Sequence, residues 1–508
     1  MTSARGKAGE ARNETPLREI FLTGIGWTAG SFGGLRLIAF AQTIILARLL
    51  SPADFGGFAM ASVSVSIGQV FSSVGIGQAI VQSRIDERAT LDTAFCINLL
   101  RGFFLYTVLF FTAPFIERFY ATPGVSAWTR MLALTVVLDS ASNVGMALYL
   151  KELDYRRAVS YGQMSVLVAV LSGILFAVWM RSAWALVYAQ LTASLVQLPF
   201  SYWAHPYRPR FRIDPAALRH YVEYGRFVLG SAPLFYLSAH VDEIAVGRRF
   251  GSHGMGAYQL AYNLSALPST YLGELVSGVL FPVFARLQST PDALRAAYLK
   301  TVRHIANLCL PLSVSLVLFA DEYIHLVYGS RWEAAIPTLR AFFIYGAIRP
   351  VASITIQVFR ATGRTEPLLR IAAVNLAVVS WVVFLALGHG PNWMAILISV
   401  LSVPVVFYGF ELVAAVLDLR VRAIVHACAP AVLSSAFAMA AVSLLLPSID
   451  SISLLPLRLA TGLAALGAIY VATLLLLDRP SVDEILELVG TQWARLAGSS
   501  GPIMRDRK

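Results

Sequence analysis

Apolar residues dominate the chain in long blocks, and short polar stretches carrying most of the charge separate them. The blocks run approximately over 22–47, 55–81, 93–116, 126–149, 160–180, 183–204, 225–247, 255–283, 303–327, 334–359, 367–388, 393–417, 424–446 and 455–477. Blocks of about 20 apolar residues cross the roughly 30 Å of hydrocarbon in a bilayer. They lack the short alternation of membrane strands, so each is expected to be a helix. The pattern predicts an all-α integral membrane protein of fourteen spans. No loop exceeds about twenty residues, which leaves no place for an extramembrane catalytic domain.

One stretch is written twice. RLLSPADFGGFAMA begins at Arg48, and RRFGSHGMGAYQLA begins at Arg248. At an offset of 200, Arg48 meets Arg248, Gly56 meets Gly256, Phe58 meets Tyr258 and Ala61 meets Ala261, while upstream Gly30-Ser31 meets Gly230-Ser231 and Ile44 meets Ile244. Each copy joins two apolar blocks, as a hairpin would. The offset covers six spans, an even number, so both copies enter the membrane in the same direction. Parallel repeats of this kind are related by an axis along the membrane normal. The expected organisation is an N-terminal tail (1–21), a first six-helix lobe (22–204), a linker (205–224), a second six-helix lobe (225–417), two extra spans (424–477) and a C-terminal tail (478–508), with a central cavity between the lobes.

Charge sets the orientation. Of 40 Lys and Arg residues, 27 fall in the two tails and the loops after even-numbered spans, seven in the opposite loops, and six within or at the edges of spans. Basic residues stay cytoplasmic, so both termini are expected inside and both hairpins outside; the family resemblance given below implies a bacterial inner membrane. The tail after span 14 places Val482, Ile485, Leu486, Val489, Trp493 and Leu496 at helical spacing. It reads equally as an amphipathic helix on the membrane surface or as a solvated helix.

Composition agrees with a membrane protein. Hydrophobic residues make up 57% of the chain and charged residues only 14%, against about 25% charged in soluble proteins, and mean hydropathy is +0.67. The net charge of +11 lies in short loops rather than in a nucleic-acid-binding patch. Cys96, Cys309 and Cys428 sit in apolar runs without metal-ligand spacing. The first apolar block is too long for a signal-peptide core, so no cleavage is expected. No phosphate loop, HExxH or Ser/His/Asp arrangement is present, and neither enzymatic activity nor a cofactor or metal is expected.

Ionised groups at mid-bilayer cost about 2.5–3.5 kcal/mol, so each needs a reason. By depth, Arg36 (span 1), Asp139 (span 4), Glu274 (span 8) and Arg349 (span 10) are the central candidates. Arg36 with Asp139, and Arg349 with Glu274, would be pairs within a lobe; each pair is either purely structural or lines a polar cavity. Arg340 and Arg101 are shallower candidates. Arg101, Arg130 and Arg226 lie near span ends, where snorkelling explains them, and Asp242 and Glu243 sit a turn or so from the outer end of span 7, where an interfacial position is expected. Glycines in spans 1 and 7, and prolines in spans 7, 8 and 10 (Pro233, Pro268, Pro282, Pro350), mark helices that pack closely or bend.

The first hairpin, LARLLSPADFGGFAMA, with GIGQAIVQS after it, resembles the polysaccharide-transport branch of the MOP flippase superfamily, the Wzx- and WzxC-like proteins. So do VGRRFGSHGMGAYQLAYNL, LPSTYLGELVSGVLFPVFARLQ and ATGRTEPLLR. The resemblance runs from about Glu19 to Asp478. It implies a MATE- and MurJ-like fold working by alternating access. It also implies a flippase moving undecaprenyl-pyrophosphate-linked oligosaccharides to the periplasmic leaflet for O-antigen, capsule or exopolysaccharide, alongside a glycan polymerase and export machinery. Cationic cavity residues, Arg36 and Arg349 here, would hold the pyrophosphate, and Asp139 and Glu274 would orient them or couple ions. The alternatives are a multidrug or cation antiporter of the same superfamily and, further off, a membrane-embedded polysaccharide polymerase or ligase.

Overall fold

The computed structural model describes residues 34, 35, 37–72, 76, 80, 87–152, 154–269, 280, 283–386 and 388–484. Among them every regular element is helical. In chain order they are α1 (Leu37–Leu49), α2 (Pro52–Phe71), α3 (Glu87–Tyr120), α4 (Val125–Ala141), α5 (Met146–Lys151), α6 (Tyr155–Met180), α7 (Trp184–Ala204), α8 (Pro215–Ser265) and α9 (Pro291–Leu318). A short α10 (Ala320–Tyr323), a π-helical turn (Ile324–Tyr328) and a 3-10 turn (Ser330–Ala335) follow, then α11 (Ile336–Ala341), α12 (Phe343–Ala361), α13 (Glu366–Ala386), α14 (Pro391–Leu417), α15 (Val421–Asp450) and α16 (Leu455–Leu477).

The first hairpin turns at Ser51 for a local reason. Its hydroxyl accepts the Asp54 N–H at 3.3 Å, and Asp54 Oδ2 accepts the Ser51 N–H at 2.9 Å. Pro52 fills the first helical position, where its missing N–H costs nothing. This reciprocal cap starts α2 and ends α1 within two residues. Asp54 Oδ1 also accepts the Ala183 N–H at 2.9 Å, tying the hairpin to the turn before α7. The second hairpin lies inside α8, whose 51 residues would span roughly 76 Å if straight. It breaks at Gly251, where φ is 68° and ψ is −171°. Only glycine enters that region without strain.

The two hairpins pack on each other, backbone to backbone. A Cβ on Gly56 would lie 1.8 Å from the Ser252 carbonyl oxygen, and one on Gly256 would lie 1.9 Å from the Pro52 carbonyl oxygen. The glycines matched at the 200-residue offset are therefore the residues that let the two copies touch.

Among the described residues, seven helices are long and apolar enough to cross a membrane, or eight if Ser330–Ala341 (the 3-10 turn with α11) and α12, bent by 59°, count as one broken span. The protein is a multi-pass, all-helical membrane protein. The remaining predicted spans fall on helices that are broken, shorter, more polar or only partly described.

The fourth predicted span departs from a straight helix. α4 stops at Ala141, Ser142 is extended (φ −65°, ψ 154°), and the chain resumes as α5. The buried Asn143 holds the break. Its Nδ2 donates to the carbonyls of His205 (3.1 Å) and Tyr207 (2.9 Å), and its N–H donates to Ser201 Oγ at 3.0 Å. Asp139 thus lies in the last turn of α4 rather than in mid-span. The segment after α7 is anchored to the start of α3, where Asp92 Oδ1 accepts from Tyr207 Oη (2.6 Å) and from the Arg210 N–H (3.0 Å). In the tail, residues 479–484 are helical, and the rest of the predicted amphipathic helix lies outside the described residues.

Buried apolar clusters divide by location. One, built around Met60, Tyr120, Val246, Tyr258 and Trp332, joins helices from both halves of the chain at the hairpins. The other large clusters each stay within one half.

Candidate functional site

A polar group of tyrosines, an arginine and an aspartate lies where α8 meets α12. Gly346 makes the approach: a Cβ there would sit 2.6 Å from the Ser265 carbonyl oxygen. One turn on, Arg349 Nη1 donates to Tyr262 Oη at 2.7 Å. The guanidinium lies over the rings of Tyr262 (5.4 Å) and Tyr345 (5.5 Å), and the two phenol oxygens are 3.2 Å apart. Phe342 packs edge-on against Tyr262 and Tyr258. Tyr258 Oη donates to Asp242 Oδ2 at 2.7 Å, and Asp242 lies within electrostatic reach of Arg349. Asp242, Tyr262, Tyr345, Asn375 and Ser402 line one small pocket.

A carboxylate pair adjoins this group. Asp242 is only 4% exposed and Glu243 5%, and His240 Nδ1 lies 3.3 Å from Glu243 Oε2 while its ring stacks on Tyr236 at 4.3 Å. Both carboxylates, expected near a span end, are covered by protein. Depth was counted from a span end near Val246-Gly247, but α8 continues to Gly251 and the opposing hairpin covers this face. Burial here comes from lateral packing, which position along a helix does not report.

The other sequence candidates are dispersed. Arg340 precedes the α11–α12 bend and is half exposed, bonded to Asp321. Arg101 sits on α3 beside Gly102, which packs on Ser140, and its buried Nε has no protein partner. Asp139 is exposed at the end of α4, beside Ser194 of α7. Arg36 and Glu274, the expected partners of Asp139 and Arg349, lie outside the described residues. The tyrosines were missed, although Tyr258 with Tyr262, and Tyr345 with Arg349, stand at i,i+4 and so share a helix face.

This arrangement can hold an anion. A guanidinium fixed over two rings keeps its remaining N–H donors available, and stacking orients them.

Residues 45–337 match the model of a family described as polysaccharide biosynthesis protein. The chain belongs to this family. The family match includes both hairpins, Asp242, Glu243 and Tyr262 and ends before Arg349. Among similar proteins is the teichuronic acid biosynthesis protein TuaB of Bacillus subtilis, 24% identical over 68% of this chain and 72% of that protein. The lipopolysaccharide biosynthesis protein WzxC of Escherichia coli is 24% identical over 69% of this chain and 72% of its own. The succinoglycan biosynthesis transport protein ExoT of Rhizobium meliloti is 23% identical over 93% of this chain and 96% of its own. In fold, the chain is similar to a solved lipid II flippase, MurJ, in an inward closed conformation, with a TM-score of 0.74 and 13% identity over 90% of this chain and 99% of that one. It is also similar to an inward-facing MATE-family multidrug transporter, with a TM-score of 0.59 and 17% identity over 76% and 95%.

Proposed function

We propose that the protein is a flippase that carries undecaprenyl-pyrophosphate-linked oligosaccharide units from the cytoplasmic to the periplasmic leaflet by alternating access. Fourteen spans would form two parallel six-helix lobes and an added pair, with both termini in the cytoplasm. The polymer would be an O-antigen, capsule or exopolysaccharide, completed by a polymerase and export machinery. The observation that carries this reading is Arg349, held over Tyr262 and Tyr345 beside the buried Asp242. It would provide a preorganised cation for the pyrophosphate of a lipid-linked unit. Arg36, Arg101 and Arg340 are further candidate anion contacts along the route, and Asp139 and Glu274 candidate orienting groups.

The family relationship supports a role in polysaccharide biosynthesis, and the likeness to TuaB, WzxC and ExoT supports transport of a glycan unit. A second reading, antiport of cationic drugs, draws on the buried Asp242 and Glu243. One comparison separates the two. In a deletion strain the flippase reading expects lipid-linked units to accumulate on the cytoplasmic leaflet, with drug tolerance unchanged. Arg349→Ala should reproduce that block while the protein still inserts. Normal export in Arg349→Ala would overturn the site assignment.

A further inference from the structure

We propose that the two repeated hairpins form the outer gate, with the Gly56–Gly256 contact as its seam and Arg48 as a one-sided latch across it. This rests on the alternating-access reading above. The seam is bare backbone: Gly56 and Gly256 each approach the opposite hairpin too closely for a Cβ. Apolar side chains pack around this contact, and two arginine arms reach past it.

Arg48 Nε donates to the Val327 carbonyl at 3.0 Å, and its Nη2 donates to the Leu326 carbonyl. Both acceptors belong to the π-helical turn Ile324–Tyr328, which ends at Gly329 (φ 92°). Carbonyls at a helix end lack intrahelical donors, so these two are available. Trp332 Nε1 donates to the Ala47 carbonyl at 2.8 Å, and its ring meets Phe55 edge-on at 5.2 Å. The repeat mate, Arg248, reaches to the matching place in the first half of the chain, the end of α3, but its guanidinium only lies over the Phe119 ring at 5.8 Å. The two arms are related by the repeat yet differ in chemistry: Arg48 is hydrogen-bonded, and Arg248 is stacked.

The position fits a gate. Apolar contact between the two halves of the chain concentrates at the hairpins, in the cluster containing Met60, Tyr120, Val246 and Trp332. Met60 is fully buried against Gly247, so a cysteine there reports whether the seam has parted.

The test uses the full chain with Cys96, Cys309 and Cys428 replaced and Met60→Cys added, labelled from outside by a membrane-impermeant maleimide. The starting protein should label slowly. Arg48→Gln should raise the rate roughly tenfold by shifting the population toward the open gate, Arg48→Lys less, and Arg248→Gln little. Gly256→Ala should raise it through steric contact alone, without touching the latch. An unchanged rate in Arg48→Gln, or an equal rise in Arg248→Gln, would overturn the proposal. So would parallel labelling of a cysteine at Val413, fully buried in the second half, because that signals unfolding. A deletion strain that still exports polymer would overturn the transport reading and leave the labelling result, and the gate, standing.

Discussion

Replacing Tyr262 by Phe removes one oxygen and keeps the ring. The lost oxygen accepts the Arg349 Nη1–H at 2.7 Å and lies 3.2 Å from Tyr345 Oη. The cation–ring contact at 5.4 Å and the edge-on packing against Phe342 at 5.6 Å survive. A hydrogen bond to a charged group contributes about 1.5–3 kcal/mol, and the retained cation–π contact about 0.5–2 kcal/mol. The hydrogen bond is the larger of the two, so Arg349 should lose about half or more of its restraint by Tyr262. At about 1.4 kcal/mol per factor of ten, the oriented guanidinium falls by roughly 10- to 100-fold relative to its alternatives. Export of the polymer, measured in a deletion strain complemented at matched protein level, should drop accordingly, with detergent-solubilised protein still folded. A double-mutant cycle with Arg349→Lys isolates the coupling and should give at least about 0.5 kcal/mol, as expected for residues in contact. Additive effects, or wild-type export in Tyr262→Phe beside a dead Arg349→Ala, would refute positioning by Tyr262.

Three further outcomes are expected. Ser51→Ala removes the cap that turns the first hairpin and should lower stability by about 0.5–2 kcal/mol, read as a reduced melting temperature in detergent. Gly346→Ala places a Cβ 2.6 Å from the Ser265 carbonyl oxygen; it should push α12 off α8 and reduce export with membrane insertion intact. The Glu484 carboxylate is held below its ordinary value of 4.5, chiefly by Lys300, whose ammonium lies at 2.9 Å. Because the folded-state value is lowered, this tie is fully present above pH 4.5 and is lost as pH falls through the lowered value. Protection of residues 479–484 in hydrogen exchange should therefore hold at neutral pH and fall only in that acidic window, and Glu484→Gln should abolish the pH dependence.

How far the site was legible differs residue by residue. Arg349 stood out because a guanidinium deep in an apolar run has a known cost. Its tyrosine partners did not, because tyrosine is ordinary in membrane helices and only spacing at i,i+4 marked it. The burial of Asp242 and Glu243 was not legible because distance to a span end is a one-dimensional measure. Asp139 was read as central because the run 126–149 was taken as one span, although its DSASNVG stretch at 139–145 carries the Ser, Asn and Gly that mark a break. That break depends on Asn143 reaching His205 and Tyr207, more than sixty residues away.

The sequence by itself determined that the chain crosses a membrane as helices, because hydrocarbon tolerates no unpaired backbone and the apolar blocks are helix-long. It also determined that one hairpin is written twice, because matched glycines and an arginine recur at a fixed offset. Only the tertiary structure decided what the repetition is for. The two copies touch through Gly56 and Gly256 because a glycine shows in sequence that backbone can approach, but not which backbone does. Arg48 and Arg248, equal in the sequence, differ in the fold because Arg48 meets free carbonyls at a helix end and Arg248 meets an aromatic ring.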